Sequence, residues 1–217
     1  MRFADRHDAG RRLARLLTRF APERPIVVGI PRGGVPVAAE VARGLAAPLD
    51  IVVARKVGAP MNPEYGIGAV AEGGARVISE EAVRRLKIGA GELDALVERA
   101  QSELENLSRR LRTGRARMSV GGRTVILVDD GLATGRTARA AALSLRMRGA
   151  ARVILAVPVA AGASVAEIRD SVEEVVCDQM PAELWAIGFW YESFPPTSER
   201  EVAQLLEELG GEPKPPD

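Results

Sequence analysis

The run Val125-Ile126-Leu127-Val128-Asp129-Asp130-Gly131-Leu132-Ala133-Thr134-Gly135-Arg136-Thr137 decides how this chain is read. Its apolar opening has the character of a strand buried on both faces. It delivers two adjacent carboxylates at its carboxyl end, where open α/β sheets receive ligands. The loop that follows supplies Thr134, Gly135 and Thr137 just before a helical stretch, Arg136 to Met147. A helix N-terminus presents unpaired N–H groups and the positive end of a dipole, so this loop suits a phosphate. The threonine hydroxyls add donors, and Gly135 lets the backbone approach closely. Two acids beside a phosphate cradle repel a bare polyanion unless they face hydroxyls or a hydrated Mg²⁺. A phosphorylated sugar satisfies both halves.

Working outward, the same alternation of buried strand and helix recurs. Asp8 to Phe20 reads as an opening helix with Asp8 as its N-cap, ended by Pro22 and Pro25. Ile26 to Ile30 is a short apolar strand, followed by Pro31-Arg32-Gly33-Gly34, a helix from Val35 to Leu45 and a second strand from Leu49 to Ala54. Further strands are expected at Arg152 to Val157 and Glu174 to Cys177, with a helix at Ala163 to Asp170 between them. Strands alternating with helices predict an α/β fold, a parallel twisted sheet with helices on both faces.

Three segments depart from that rhythm. Residues 55–75, rich in glycine and proline, read as a long flexible loop with one short strand at Ile67 to Ala71. Residues 79–113 form a helical excursion broken at Gly89-Ala90-Gly91. Its second part carries one apolar stripe from Leu93 to Leu111, the mark of a helix packed on the body or on a second subunit. Residues 181–210 form a small C-terminal hood and an amphipathic helix from Glu199 to Leu209, and Gly210 to Asp217 reads as a frayed tail. One domain is expected to span residues 1–217, with its core at about 25–180.

Composition excludes several chemistries. The chain has 217 residues, with 30 Lys plus Arg against 29 Asp plus Glu and a net charge of +1, so a protein that coats nucleic acid is not expected. The single cysteine, Cys177, and single histidine, His7, exclude a disulfide framework, a Cys/His zinc site and a Ser-His-Asp triad within one chain. No apolar run is long enough to span a membrane, and the opening residues lack an apolar export segment, which predicts a cytoplasmic protein with no membrane partner.

The run from Val125 to Thr137 resembles the signature of the type I phosphoribosyltransferases: apolar residues, two acids, two variable positions, a small residue, Thr-Gly and a final Thr or Ser. The resemblance implies that Asp129 and Asp130 hold the ribose hydroxyls of phosphoribosyl pyrophosphate. Asp129 and Asp130 would also meet Mg²⁺ indirectly, through ribose or water. Ala133, Thr134, Gly135, Arg136 and Thr137 would form the 5-phosphate loop. Pro31, Arg32, Gly33 and Gly34 fall where the family keeps a short loop whose amides contact pyrophosphate; glycines permit such an amide cluster. Arg55 and Lys56 match an Arg-Lys pair of purine-type members. There a loop closes over the site, and two cations can stabilise charge on departing pyrophosphate.

What this implies is transfer of the 5-phosphoribosyl group from phosphoribosyl pyrophosphate to a nitrogen acceptor, with Mg²⁺ as cofactor and a homodimer as the assembly. The alternative is a non-catalytic regulator that senses phosphoribosyl pyrophosphate or a nucleotide on the same fold. Members acting on 6-oxopurines usually have Asp where this chain has Ala133, whereas adenine- and uracil-using members share Leu132-Ala-Thr-Gly135. Glu64 is a candidate acid or base for the acceptor. Of the two Trp, two Tyr and four Phe, five fall close together at Trp185, Phe189, Trp190, Tyr191 and Phe194. Trp190, Tyr191 and Phe194 are candidates for stacking on an acceptor base.

Overall fold

Residues 2–112 and 114–211 are described by the computed structural model. Helix α1 (Arg6–Leu17) starts ahead of the expected position, because Asp5 is its N-cap and accepts from the Asp8 N–H at 2.7 Å. Asp8 lies in the first turn, where its carboxylate accepts from the Ala4 N–H at 3.2 Å, so the two acids cap reciprocally. Strand β1 (Ile26–Gly29), helix α2 (Gly34–Leu45) and strand β2 (Leu49–Ile51) form the first crossover unit. Strands β3 (Ala54–Ala59), β4 (Asn62–Ala71) and β5 (Ala75–Ile78) follow, then helices α3 (Glu80–Leu86) and α4 (Ala90–Arg112). The chain continues through β6 (Thr124–Val128), α5 (Arg136–Met147), β7 (Arg152–Val159), α6 (Gly162–Ile168), β8 (Glu174–Gln179) and α7 (Glu199–Leu209).

The main sheet is parallel throughout, in the order β2-β1-β6-β7-β8. Alternate residues of one strand feed opposite cores: Ile126 and Val128 join α1, α2, α4 and α7, while Val125 and Leu127 join α5 and α6. Burial on both faces is why these strands read as unbroken apolar runs. The chain leaves β1 for β2 on one side and later places β6 on the other. The carboxyl ends of β1 and β6 therefore flank a topological switch point, where ligand crevices form.

The segment 55–75 is corrected by the structure. It is not a long loop: β3 and β4 form an antiparallel hairpin, which β5 extends into a second, three-stranded sheet. Its glycines are sites of close backbone approach. A Cβ on Gly58 would stand 2.4 Å from the Pro63 carbonyl oxygen, and one on Gly68 would stand 2.5 Å from that of Val77. The register shifts on both sides of Gly58 mark a bulge, a feature whose sequence imitates a loop.

The helical excursion is fastened by buried charge. Arg112, at the end of α4, meets Asp50 of β2 at 2.7 Å and Glu72 at 3.1 Å, and donates to the Ile51 carbonyl at 2.6 Å. Burial works against the guanidinium, but the two carboxylates hold its pKa above the ordinary value. Ser108 also donates to Glu72, and Asp50 accepts from the Met118 N–H at 3.0 Å. The expected C-terminal tail lies mostly outside the described residues.

Candidate functional site

The site assembles from two loops at the ends of β1 and β6. Gly29 pairs with Val128 in register, and the Ile30 N–H donates to the Val128 carbonyl at 2.8 Å. That pairing carries Pro31 to Gly34 against Asp129 and Asp130. The approach is too close for side chains: a Cβ on Gly33 would stand 2.0 Å from Asp130 Oδ2, and one on Gly34 would stand 2.8 Å from the Asp129 Cα. The Pro31–Arg32 peptide bond is cis. The Gly34 N–H returns to the Ile30 carbonyl at 3.1 Å and the Val35 N–H to that of Arg32 at 3.2 Å, which folds the loop onto the start of α2.

Beyond the acids, the loop is anchored at its base and open at its tip. The Leu132 N–H donates to Val159 and the Ala161 N–H to Leu132, at 2.8 and 3.0 Å, while the Ser164 hydroxyl donates to the Ala133 carbonyl. Ala133 and Thr134 are exposed. Gly135 has φ +68°, the left-handed conformation that favours glycine, and it caps α5 with Arg136 and Thr137 as the first helical residues. A cleft of about 270 Å³ runs beside Thr134, Gly135 and Arg136, with Ser79, Arg139 and Ser164 among its walls.

The acid pair is electrostatically strained. Burial, with Asp130 alongside, pushes Asp129 well above the ordinary carboxylate range, despite an N–H bond from Asp130 at 2.9 Å and the more distant Arg6. Burial also raises Asp130, and the Arg6 guanidinium opposes it. Arg6 donates to Asp130 Oδ2 at 2.9 Å. Sequence reasoning missed Arg6. It is one of many arginines in this chain, it matches no motif, and 124 positions separate it from Asp130.

Arg55 and Lys56 lie on β3, opposite Val70 and Ala69 of β4. The Arg55 Nε is buried without a hydrogen-bond partner among the described residues, and Lys56 is exposed. Glu199, at the start of α7, accepts from Arg110 at 3.0 Å and sits below the ordinary carboxylate range, chiefly through that bond, with lesser help from Arg32 and Arg55. Arg32, in the turn after β1, and Arg55, on β3 of the second sheet, therefore both lie towards Glu199. Glu64 lies on β4 by its backbone, and its side chain is outside the described residues.

The aromatic segment divides. Tyr191 is 3% exposed, with its ring between Phe3 and Phe194 at centroid distances of 5.2 and 4.7 Å. That corrects its expected part in stacking on a base, since the ring already packs in a small core with Phe3, Ala9 and Val159. Its hydroxyl instead donates to the Asp130 carbonyl at 2.7 Å. Phe194 lies under the Arg6 guanidinium, 3.7 Å from ring centroid to carbon, and Trp190 is half-buried. The most exposed rings are Trp185 and Phe189, at 84% and 64%, which line an open groove with Trp190.

A parallel sheet with a glycine loop, an acid pair and a helix-capping loop gathered at its switch point defines an α/β domain of the kind whose ligand crevice lies at the carboxyl ends of its strands. The phosphoribosyl transferase domain family matches residues 6–193, and the chain belongs to that family. Its type I fold is the one expected from the sequence. A Mycobacterium tuberculosis protein provisionally named a phosphoribosyl transferase is 44% identical over 205 residues. The alignment covers 94% of this chain and 46% of that protein, so the chain spans about half the length of the curated relative. The crystal structure of TT1426 from Thermus thermophilus superposes with a TM-score of 0.83 at 41% identity, covering 97% of this chain and all of the other. Among the described residues, no helix is long and apolar enough to cross a membrane.

Proposed function

We propose that this chain transfers the 5-phosphoribosyl group from phosphoribosyl pyrophosphate to a nitrogen acceptor, releasing pyrophosphate. One observation carries the reading: an acid pair and an open, glycine-capped helix start lie at either end of a short loop, with a second glycine loop pressed against the acids. Carboxylates accept from the ribose hydroxyls. The N–H groups of the Thr134 to Thr137 loop and its threonine hydroxyls take the 5-phosphate. The loop from Pro31 to Gly34 takes the pyrophosphate through its Arg32 and Gly33 amides, the Gly34 N–H being committed to the Ile30 carbonyl.

In the reaction the bond from the anomeric carbon to pyrophosphate breaks and its electron pair leaves with the pyrophosphate. A bond from the acceptor nitrogen forms at the same carbon, and the acceptor gives up a proton. Positive charge grows on the sugar as negative charge grows on the leaving group. Arg55 and Lys56 supply positive charge to the departing group, and the amides near Arg32 stabilise it further. Trp190 and Phe194 stand on the acceptor side, and Glu64 is the candidate group for the acceptor proton. A nucleobase is the preferred acceptor class.

The donor set fits Mg²⁺ that arrives with substrate better than a resident ion. Among the described residues no group of three or more His, Cys, Asp or Glu is arranged to hold a metal. Mg²⁺ keeps much of its water and is commonly held by one or two carboxylates together with substrate phosphates. Asp129 and Asp130 would hold it through water or the ribose hydroxyls. When bound, it supplies charge neutralisation at the pyrophosphate.

The test is a melting experiment with phosphoribosyl pyrophosphate and Mg²⁺, followed by a screen for pyrophosphate release over nucleobases, nicotinate-like acids and small amines. Binding stabilises the folded state by linkage, so Tm should rise with ligand and the rise should vanish in the Asp129→Asn, Asp130→Asn double variant. No rise in the wild-type protein would defeat the reading.

A further inference from the structure

This inference rests on the phosphoribosyl transfer reading and concerns how the acid pair comes to recognise a sugar. Arg6 opens α1 and reaches Asp130 with two nitrogens, Nε and Nη2, each 2.9 Å from the same carboxylate oxygen, Oδ2. Its third nitrogen donates to the Pro195 carbonyl at 2.6 Å, and the face of the guanidinium lies 3.7 Å from the Phe194 centroid. The side chains of Arg6 and Asp130 are only 10% and 15% exposed. The planar fork of donors that this arrangement uses belongs to arginine and not to lysine.

The consequence is a division of labour among four oxygens. Asp130 Oδ2 is held by Arg6, and Asp129 Oδ1 is held by the Asp130 N–H at 2.9 Å. Among the described residues, neither Asp130 Oδ1 nor Asp129 Oδ2 receives a hydrogen bond from another residue. Each acid thus keeps one oxygen for the protein and one for a ligand, matching the two hydroxyls of a ribose. A carboxyl group with no partner on either oxygen would be free to turn among its rotamers. Arg6 prevents that at the side chain, and the Tyr191 hydroxyl fixes the carbonyl of the same residue at 2.7 Å.

We propose that Arg6 is a positioning residue for sugar recognition: by occupying Oδ2 of Asp130 it aims Oδ1 at the ribose diol, and this is what distinguishes a ribose ligand from a 2-deoxyribose ligand. The Phe194–Pro195 segment backs the guanidinium, so the wall on the acceptor side and the sugar-binding acid share one cation. Arg6 itself does not touch the substrate.

Calorimetric titration of ribose 5-phosphate and 2-deoxyribose 5-phosphate into the full chain tests this. The proteins compared are the wild type, Arg6→Gln, Arg6→Lys, Asp130→Asn and the Arg6→Gln, Asp130→Asn double variant. A hydrogen bond to a charged group supports a preference of about tenfold or more for the ribose ligand in the wild type. Arg6→Gln should erase most of that preference. Arg6→Lys, which keeps the charge without the fork, should retain part of it. In the Asp130→Asn background, removing Arg6 should change the preference no further. An unchanged preference in Arg6→Gln, or in Arg6→Lys if the first variant does not fold, overturns the assignment. Equal weakening of both ligands likewise reduces Arg6 to a tie between α1 and the C-terminal segment. Failure of the wild type to bind either sugar phosphate or phosphoribosyl pyrophosphate would instead remove the functional reading, and this inference with it.

Discussion

The Tyr191 hydroxyl donates to the carbonyl of Asp130 at 2.7 Å, and the ring that carries it is buried against Phe3. A residue from the C-terminal segment thereby holds the backbone immediately after the acid pair. Burial drives the phenol pKa far above its ordinary value, so the hydroxyl remains a donor across the working pH range. Tyr191→Phe keeps the ring and leaves the carbonyl without its partner. It should destabilise the protein by about 1–2 kcal/mol in urea unfolding and weaken phosphoribosyl pyrophosphate binding. An unchanged midpoint together with unchanged binding would show that the contact holds nothing.

Asp129 sets a pH dependence of stability. Its folded pKa lies well above the ordinary range, because burial and the neighbouring Asp130 disfavour its charge. The folded state retains a proton that the unfolded chain releases near about pH 4. Stability from this group is therefore fully present below the unfolded pKa and is lost as pH rises through the folded one. Asp129→Asn should melt higher than the wild type at about pH 7 to 8, with the gap closing towards about pH 4, while losing ligand binding. A constant gap across that range would contradict the assignment.

Gly33 separates site from fold. Its backbone angles, φ −63° and ψ −33°, are open to any residue, so only the carboxylate 2.0 Å from a virtual Cβ forbids a side chain. Gly33→Ala should displace Asp130 and abolish the ligand-induced rise in Tm, with the circular dichroism spectrum retained. Gly89→Ala, where nothing stands within 4 Å, serves as the neutral comparison.

Arg112 is a matter of stability alone. Arg112→Met would leave Asp50 and Glu72 buried without their shared cation, a loss expected to cost about 3–5 kcal/mol in chemical denaturation. Arg84→Ala, which breaks the exposed i,i+4 pair with Glu80, should stay within about 0.5 kcal/mol.

Lys56 tests the placement of the transition-state charge. Lys56→Ala should lower kcat more than it weakens ground-state binding of phosphoribosyl pyrophosphate, once an acceptor is in hand. Equal losses would assign Lys56 to binding only.

Much of this is legible in the chain because the signals are local. Buried strands announce themselves as apolar runs, and the acid pair followed by Thr134-Gly135 needs only its immediate context to read as a phosphate loop. The N-cap lies ahead of the expected one because Asp5 and Asp8 are both competent caps, and the pairing of each with the other's N-terminal neighbourhood settles the start. The hairpin at 54–71 is hidden because its glycines and prolines, which serve a bulge and close strand packing, have the composition of a loop.

The sequence by itself determined the strands of the main sheet with the helices between them, the acids, and the loop that caps α5, since each depends on periodicity or on chemistry within a few residues. Tertiary structure alone decided that Arg6 meets Asp130, that Tyr191 is a buried donor instead of an open stacking face, and that Arg112 joins β2 to Glu72. The physical reason is distance along the chain. Such partners are chosen when the sheet order brings its strand ends together, and no local pattern records which of many arginines will be carried there.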